Sequence, residues 1–218
     1  MKLPKIKDSF YYENNFYLSC DTLRIGKLLA HYELFKMSID IPGSIIECGV
    51  FKGMSLIRFA SFRNLSSSNS KKIIGFDAFG TFPKTKFQKD QKMREKFIKD
   101  SGSSGISKQQ LMKVLKQKKI DQKIELIKGN IIQTIPSYVK KHPKLKISLL
   151  NLDTDAYEPA ITILENLYPK ITKGGILLLD NYGVWSGETT AVNEYFQDKN
   201  VKIIKNSFSN TPSYIIKE

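Results

Sequence analysis

The sequence predicts an α/β protein built on a doubly wound sheet with an antiparallel C-terminal edge. Short, nearly continuous apolar runs alternate with longer amphipathic stretches along most of the chain. Continuous apolar runs mark strands covered on both faces, as central parallel strands are. The last two apolar runs are joined by a short turn rather than a helix, which sets that pair antiparallel.

The elements follow in order. Residues 16–39 read as a helix, with Leu23, Leu28, Leu29, Leu34 and Phe35 at helical spacing. Ile39 to Gly43 is a turn, and Ser44 to Val50 (SIIECGV) is the first strand. Ser55 to Phe62 is a helix, and residues 64–71 are a polar loop. Lys72 to Asp77 is the second strand. Residues 84–119 are lysine-rich and partly helical, with a break at Ser101 to Gly105. Lys123 to Lys128 is the third strand, Ile132 to Lys141 a helix, and Lys146 to Leu152 the fourth strand. Pro159 to Tyr168 is a helix closed by Lys173-Gly174-Gly175, and Ile176 to Asp180 is the fifth strand. After a helix at 188–198, Val201 to Lys205 and Tyr214 to Lys217 form the final strands around a Ser-Asn-Thr-Pro turn.

The chain's 218 residues suit one domain, 1–218, with an N-terminal helical segment 1–40 and a lysine-rich lid insertion 84–119. With 41% hydrophobic and 11% aromatic residues it can build a core, which excludes a largely disordered chain. No apolar run approaches the ~20 residues of a membrane span. Met1 to Tyr12 lacks the apolar core of a signal peptide. Cys20 and Cys48 are too few for a disulfide framework or a cysteine zinc site, and a reduced cytoplasmic setting fits. The aromatic run Phe10-Tyr11-Tyr12 to Phe16-Tyr17 is apolar enough to join a lid or a second subunit of a homo-oligomer.

The net charge is +14, which raises nucleic acid, a membrane surface or an anionic substrate as partners. Lysine supplies nearly all of it. The arginines are only Arg24, Arg58, Arg63 and Arg94. Specific phosphate and base readers favour the planar arginine fork, so composition bias accounts for much of the charge. From Lys84 to Lys128 there are 14 basic and 5 acidic residues, so the excess gathers in the insertion and its flanks. A lid of that charge suits an anionic acceptor.

Ligands of open α/β sheets bind beyond the C-terminal strand ends, at the switch in strand order. The first strand ends in Glu47-Cys48-Gly49-Val50-Phe51-Lys52-Gly53-Met54-Ser55, an E-x-G-x-x-x-G-x-S turn leading into a helix. Gly49 permits a tight turn, and Gly53 is expected to let a ligand approach the helix start. Glu47 lies inside an apolar strand, where a carboxylate needs a partner. The second strand ends at Asp77, suited to both hydroxyls of a ribose or, alternatively, to capping the loop. Asp153-Thr154-Asp155 and Asp180-Asn181 end the fourth and fifth strands. If neighbours, these ends gather Asp153, Asp180 and Asn181, an oxygen set suited to Mg²⁺. The alternative is that these acids cap the following helices.

These residues resemble class I S-adenosylmethionine-dependent methyltransferases. The acid set resembles the metal site of catechol O-methyltransferase. Closer is the macrocin O-methyltransferase family of sugar O-methyltransferases. The segments that carry the likeness are PGSIIECGVFKGMS, IIGFDAFGTFP, LDTDAYEPA and LLLDNYGVWSGETTAVNEYF. The resemblance implies a Rossmann-like seven-stranded sheet and methylation of a hydroxyl on a sugar or a nucleotide-linked or glycosylated small molecule. It implies that Glu47 and Gly49 contact the methionine part of S-adenosylmethionine, with Val50, Phe51 and Ser55 also in its binding site. Asp77 would hold its ribose, Phe79, Gly129 and Asn130 would border its adenine, and Ala78 would also contact the cofactor. Asp153 would border the cofactor and, with Asp180 and Asn181, hold Mg²⁺. Asp153 or Asp155 would accept the proton.

There are departures from the family pattern. The pair after the fifth strand is often Asp-Asp there and is Asp180-Asn181 here. The residue before Trp185 is often His and is Val184 here. Ala156 stands where catechol methyltransferases place a lysine. These departures bear on the acceptor and the base. His31 and His142 show no tie to chemistry, and Tyr182 and Trp185 are candidate walls of an acceptor pocket. A nucleic-acid amino-methyltransferase fits less well, because its Asn/Asp-Pro-Pro-Tyr motif is replaced by Asp-Thr-Asp-Ala. A non-catalytic cofactor-binding module is disfavoured by acids at every expected strand end.

Overall fold

The computed structural model describes residues 2–66, 70–82, 84–85 and 87–218. Met1, the middle of the polar loop 64–71, Pro83 of the second motif and Lys86 of the insertion lie outside the described residues. Two helices lead, α1 (Ser9–Ser19) and α2 (Thr22–Ser38). Then come β1 (Ser44–Cys48), α3 (Met54–Leu65) and β2 (Ile73–Asp77). The insertion holds α4 (Gln88–Ser101) and α5 (Lys108–Gln117). It is followed by β3 (Ile124–Lys128), α6 (Ile131–Lys141), β4 (Ile147–Leu152) and α7 (Tyr157–Leu167). The chain closes with β5 (Ile171–Leu179), α8 (Ser186–Phe196), β6 (Ile204–Asn206) and β7 (Ser209–Ile216).

The seven strands form one sheet in the order β3-β2-β1-β4-β5-β7-β6. Strands β1 to β5 are parallel, and β7 runs antiparallel to both β5 and β6. The order reverses between β1 and β4, so the switch point lies there. Alternate residues of each strand enter opposite cores. Ile45, Leu149 and Ile176 face a cluster with Leu34, Phe59 and Leu111 from α2, α3 and α5. Ile46, Leu150 and Leu177 face Ile135, Ile163 and Val192 from α6, α7 and α8. That double burial is why the strands read as unbroken apolar runs.

Three expectations are corrected. The single helix expected at 16–39 is two helices. The Asp21 carboxylate accepts the backbone N–H of Leu23 at 2.7 Å and of Arg24 at 3.2 Å, starting α2 afresh behind an extended Cys20. Lys173-Gly174-Gly175 does not close a helix but lies inside β5. The C-terminal tail draws it in, with Gly174 N–H on the Lys217 carbonyl at 2.7 Å and Lys217 N–H on that of Gly175 at 2.9 Å. The Ser-Asn-Thr-Pro segment belongs to β7, with Ser209 opposite Asn206, so the turn falls at residues 207–208 instead.

The insertion divides into two parts. Leu111 and Leu115 of α5 are fully buried, so this helix belongs to the core. Helix α4 buries only Asp90. Gly53, expected to admit a ligand, instead admits α5. A Cβ there would lie 2.8 Å from Leu111 Cδ1. Cys20 and Cys48 are free. No helix among the described residues is long and apolar enough to cross a membrane.

Gly49 sets how closely the two central strand ends approach. Its φ is +95°, and an added Cβ would lie 1.7 Å from the Asp153 carbonyl oxygen. Gly183 also has a positive φ, +82°, but has nothing within 4 Å of a Cβ. Gly183→Ala is expected to lose about 1–2 kcal/mol, the strain of a left-handed alanine. Gly49→Ala adds a backbone clash to the same strain and is expected to lose more than about 3 kcal/mol. Equal shifts of the two denaturant midpoints would show that the strand ends are not so tightly apposed.

Candidate active site

Loops at the C-terminal ends of the parallel strands surround a cavity of about 660 Å³. This is the size of a site for one or two small molecules. Each loop is pinned as it leaves its strand. Gly49 N–H donates to the Phe76 carbonyl at 2.9 Å, and Asp153 N–H to that of Cys48 at 3.0 Å. Asp180 N–H donates to the Leu152 carbonyl at 3.0 Å, and Gly129 N–H to that of Asp77 at 2.9 Å. The side chains beyond the strands are thereby set on a rigid frame.

Of the residues expected to hold a cofactor, Gly49, Val50, Phe51 and Ser55 line the cavity on the β1 side. Asp77 and Ala78 line it after β2, and Gly129 and Asn130 after β3. Asp77 Oδ2 accepts N–H groups of Val50 at 2.9 Å and Phe51 at 3.0 Å, while Oδ1 accepts that of Phe79. Asp77 therefore caps the glycine turn while still facing the cavity. Asn130 also caps a helix, accepting Ile132 N–H at 3.1 Å.

Two expected contacts are placed elsewhere. Phe79 is buried in the core cluster, and its left-handed φ of +48° turns the chain there, so it does not line the cavity. Glu47 is fully buried beneath the turn, where Oε1 accepts the Ser55 hydroxyl at 2.5 Å and Oε2 has no partner. Burial pushes its pKa up to about 8.

Strands β4 and β5 bring Asp153, Asp155, Asp180 and Asn181 to one wall, as the strand adjacency requires. The Asn181 amide donates to Asp153 Oδ1 and to Asp155 Oδ1, both at 2.7 Å. Asp180 pairs with Lys27 through Oδ2, and its Oδ1 contacts His31 Nε2 at 3.0 Å. Burial works against ionisation of Asp180, but Lys27 and His31 outweigh it and hold its pKa below the usual carboxylate range. Burial keeps His31 neutral, so Nε2 carries the proton toward Asp180 and the buried Nδ1 is left without a partner. Burial and the neighbouring Asp180 charge push Asp153 up, and push Asp155 up to about 7. Protein groups thus satisfy the cluster. Among the described residues no three carboxylate, imidazole or thiolate groups form a metal-binding set.

An aromatic roof covers the cavity mouth. Phe97 of α4 lies 5.3 Å from the Phe51 ring, 5.2 Å from Phe82 and 6.1 Å from Trp185. Trp185 lines the cavity as expected. Tyr182 does not, because its hydroxyl turns away to Asn193 Oδ1 at 2.8 Å.

A glycine turn, an acid ending β2 and an acidic wall at the switch point are the arrangement that the family resemblance implies. A model of the macrocin O-methyltransferase (TylF) family matches residues 24–214. The chain belongs to the macrocin O-methyltransferase family.

Its relatives in this family include demethyldecarbamoylnovobiocin O-methyltransferase of Streptomyces niveus, 24% identical over 72% of this chain and 59% of that one. Another is the 8-demethyl-8-(2,3-dimethoxy-alpha-L-rhamnosyl)-tetracenomycin-C 4'-O-methyltransferase of Streptomyces olivaceus, 23% identical over 66% of this chain and 54% of that one. The chain therefore spans little more than half the length of these curated relatives. Among solved structures, the calicheamicin methyltransferase CalS11 is 25% identical and superposes with a TM-score of 0.76, over 99% of this chain and 86% of its own. The seven-stranded sheet with its antiparallel end is the class I methyltransferase fold.

Four further residues that support this wall escape a reading of the sequence. Lys27 and His31 reach the site from α2, four residues apart on the stripe that also buries Leu34 and Ser38. Polar residues on a buried helix face are the signal that marks them. Asp90 is buried on α4, where it accepts N–H groups of Ser186 at 3.0 Å and Gly187 at 2.8 Å, locking α4 to the start of α8. Glu188 is fully buried. Its Oε1 accepts Asn181 N–H at 3.0 Å, and its Oε2 accepts those of Thr154 and Asp155 at 3.3 Å. One side chain thus braces both loops that carry the acidic wall. Neither Asp90 nor Glu188 has a sequence signal, since the partners of Asp90 and two of the three partners of Glu188 are distant in the chain.

Glu188→Ala strips an acceptor from three N–H groups and is expected to destabilise by about 2–4 kcal/mol. Glu188→Gln keeps an amide oxygen and should recover part of this. Equal losses in urea denaturation would rule out the brace. Glu47 provides a second test. Folded, it keeps its proton up to about pH 8, whereas the unfolded chain releases it near 4.5. The folded state binds more protons between these values, so this contribution is full below pH 4.5 and is lost as pH rises toward 8. Glu47→Gln should flatten the decline in melting temperature over that window, and an unchanged slope would refute the buried protonated state.

Proposed function

We propose that this chain transfers a methyl group from S-adenosylmethionine to a sugar hydroxyl of a glycosylated or nucleotide-linked small molecule, with Mg²⁺ at the acidic wall. The observation that carries the reading is the meeting of Asp153, Asp155, Asp180 and Asn181 at one wall of the cavity. The family and its relatives support it. One curated relative is named as the 4'-O-methyltransferase of a rhamnosyl-tetracenomycin C, and a solved CalS11 structure is described as a TDP-rhamnose 3'-o-methyltransferase.

The cavity fits the cofactor. Gly49 lets the end of β4 pack against the β1 turn, which with it lines the cavity, and the Asp77 carboxylate faces the cavity for the ribose hydroxyls. Gly49, Val50, Phe51 and Ser55 would hold its methionine end, Ala78 the ribose side, and Gly129 and Asn130 the adenine side. S-adenosylmethionine supplies an electrophilic methyl group when bound.

Asp153, Asp155 and Glu188 are buried carboxylates pushed up by burial and by neighbouring carboxylates, Asp180 among them, while Lys27 pulls Asp153 and Asp155 the other way. A hard cation would offset the repulsion among these carboxylates, once the Asn181 amide, which here donates to Asp153 and Asp155, turns its oxygen toward them and Asp180 is released from Lys27. Asp153, Asp180 and the Asn181 amide oxygen would hold Mg²⁺, which when bound makes an acceptor hydroxyl more acidic. The chain's own residues do the rest. Asp155, held in a left-handed conformation at the cavity wall, accepts the proton of the acceptor hydroxyl at its carboxylate. Phe97 and Trp185 exclude water.

Calorimetry should detect S-adenosylhomocysteine binding to the wild type. Methyl transfer to a panel of TDP-sugars and glycosides should occur, and EDTA or Asp153→Ala should reduce it by two orders of magnitude or more. Asp155→Asn should lower kcat about 10²–10⁴-fold while S-adenosylhomocysteine binding persists. Transfer that survives both EDTA and Asp153→Ala would exclude the metal. An Asp155→Asn enzyme of full activity would exclude Asp155 as the base.

A further inference from the structure

Arginine is scarce in this chain, and its four side chains are used in two ways. Arg63 is buried and donates to the Lys71 carbonyl at 3.0 Å and the Ile120 carbonyl at 3.1 Å, tying loops together. Arg94 on α4 donates to the Phe82 carbonyl at 3.2 Å. The guanidiniums of Arg24 and Arg58 make no hydrogen bond or ion pair with any described residue. They nevertheless lie together. Both line a niche of about 50 Å³ beside Ser55, and the niche shares Arg24, Lys27 and Ser55 with the main cavity.

Arg58 loses hydration in its half-buried position and is repelled by the neighbouring, exposed Arg24, which is unfavourable without an anion between them. Asp153 and Asp180 form the opposite wall, yet they do not serve that purpose. Asp180 is already paired with Lys27 and His31, and Asp153 with the Asn181 amide. Burial and the charge of Arg24 both pull Arg58 below its ordinary pKa, with Asp180 pulling the other way. The volume selects the ligand. About 50 Å³ holds a few water-sized groups, at ~10–15 Å³ each, and so admits a carboxylate or phosphate but no sugar ring. The planar guanidinium fork matches both anions, with two parallel N–H groups for two oxygens. The start of α3, which carries no side-chain cap, adjoins the niche through Met54 and Ser55.

We propose that Arg24 and Arg58 form an anion clamp that grips a carboxylate or phosphate group of a bound small molecule at the α3 end of the cavity. The identity of that molecule rests on the methyltransferase reading; the clamp itself does not. Two sources carry the chemistry. One is the α-carboxylate of the cofactor's methionine moiety, which belongs at the Ser55 end. The other is a phosphate on the acceptor.

The experiment uses the full chain with Arg24→Gln, Arg58→Gln and the double variant, each checked for folding by circular dichroism. Arg24 is exposed, so its variant keeps the test sound if Arg58→Gln fails to fold. Calorimetry with S-adenosylhomocysteine, 5'-methylthioadenosine and inorganic pyrophosphate distinguishes the sources. A cofactor carboxylate predicts at least tenfold weaker S-adenosylhomocysteine binding and unchanged binding of 5'-methylthioadenosine, which lacks the aminoacyl group. An acceptor phosphate predicts unchanged S-adenosylhomocysteine binding and at least tenfold weaker pyrophosphate binding. Unchanged affinity for both S-adenosylhomocysteine and pyrophosphate in the variants overturns the clamp. If the wild type binds no S-adenosylhomocysteine, the methyltransferase reading fails, and pyrophosphate alone decides the clamp. Wild type and variants that then bind pyrophosphate equally, or not at all, overturn it.

Discussion

The contact between Lys27 and Asp180 sets the charge state of the whole strand-end wall. Several buried carboxylates meet there, and a buried carboxylate ionises only with a partner. Asp180 has one, supplied by a helix that lies far from it in the chain. Once Asp180 is ionised, its charge adds to burial in raising Asp153 and Asp155. The Asn181 amide then bridges those two, and Glu188 fixes the backbone of both loops. Removing Lys27 would leave a buried charge unpaired, so α2 is a structural requirement of the site as much as a wall of it.

The parallel half of the sheet was legible because its physics is local. Strands buried on both faces need unbroken apolar runs, and the polar residues that follow them fall at the strand ends by topology alone. That is why Asp77, Asp153 and Asp180 can be read as one site before any coordinates are known. The antiparallel edge was less legible. Residues 173–175 and 209–212 carry glycine, proline and polar side chains that signal turns, and pairing with the C-terminal tail and with β6 overrides the signal. The break at Cys20–Asp21 hides within a run of good helix formers, where a single aspartate cap decides it.

The partners that tune the site were illegible for a related reason. Lys27, His31, Asp90 and Glu188 each act on residues distant in sequence. The glycine at 53 shows the converse error. A glycine near a helix start suggests room for a ligand, yet the room is filled by Leu111 from an insertion that reads as a polar lid. Amphipathic α5 belongs to the core, and only α4 lies over the mouth. The charge divides likewise. Lys89, Lys92, Lys96 and Lys99 of α4 are exposed to solvent, whereas Lys27, Lys52 and Lys84 line the cavity. Most of the basic excess of α4 is therefore a solvated surface, and the cations that bear on recognition are few and specifically placed.

The amide at position 181 links the end of β5 to both acids that follow β4. A carboxylate there would add another negative group beside Asp153, Asp155 and Asp180, with Lys27 already committed. The amide is neutral and presents two donors, and both are used, one on Asp153 and one on Asp155. It holds the two acids at a fixed separation without adding charge. Rotation of the same amide turns an oxygen toward them in place of the nitrogen. Position 181 is thus the one member of the wall that can face the acids either as donor or as ligand. An amide at 181 therefore leaves the cluster one negative charge lower than a carboxylate there would, while keeping an oxygen that could face a cation.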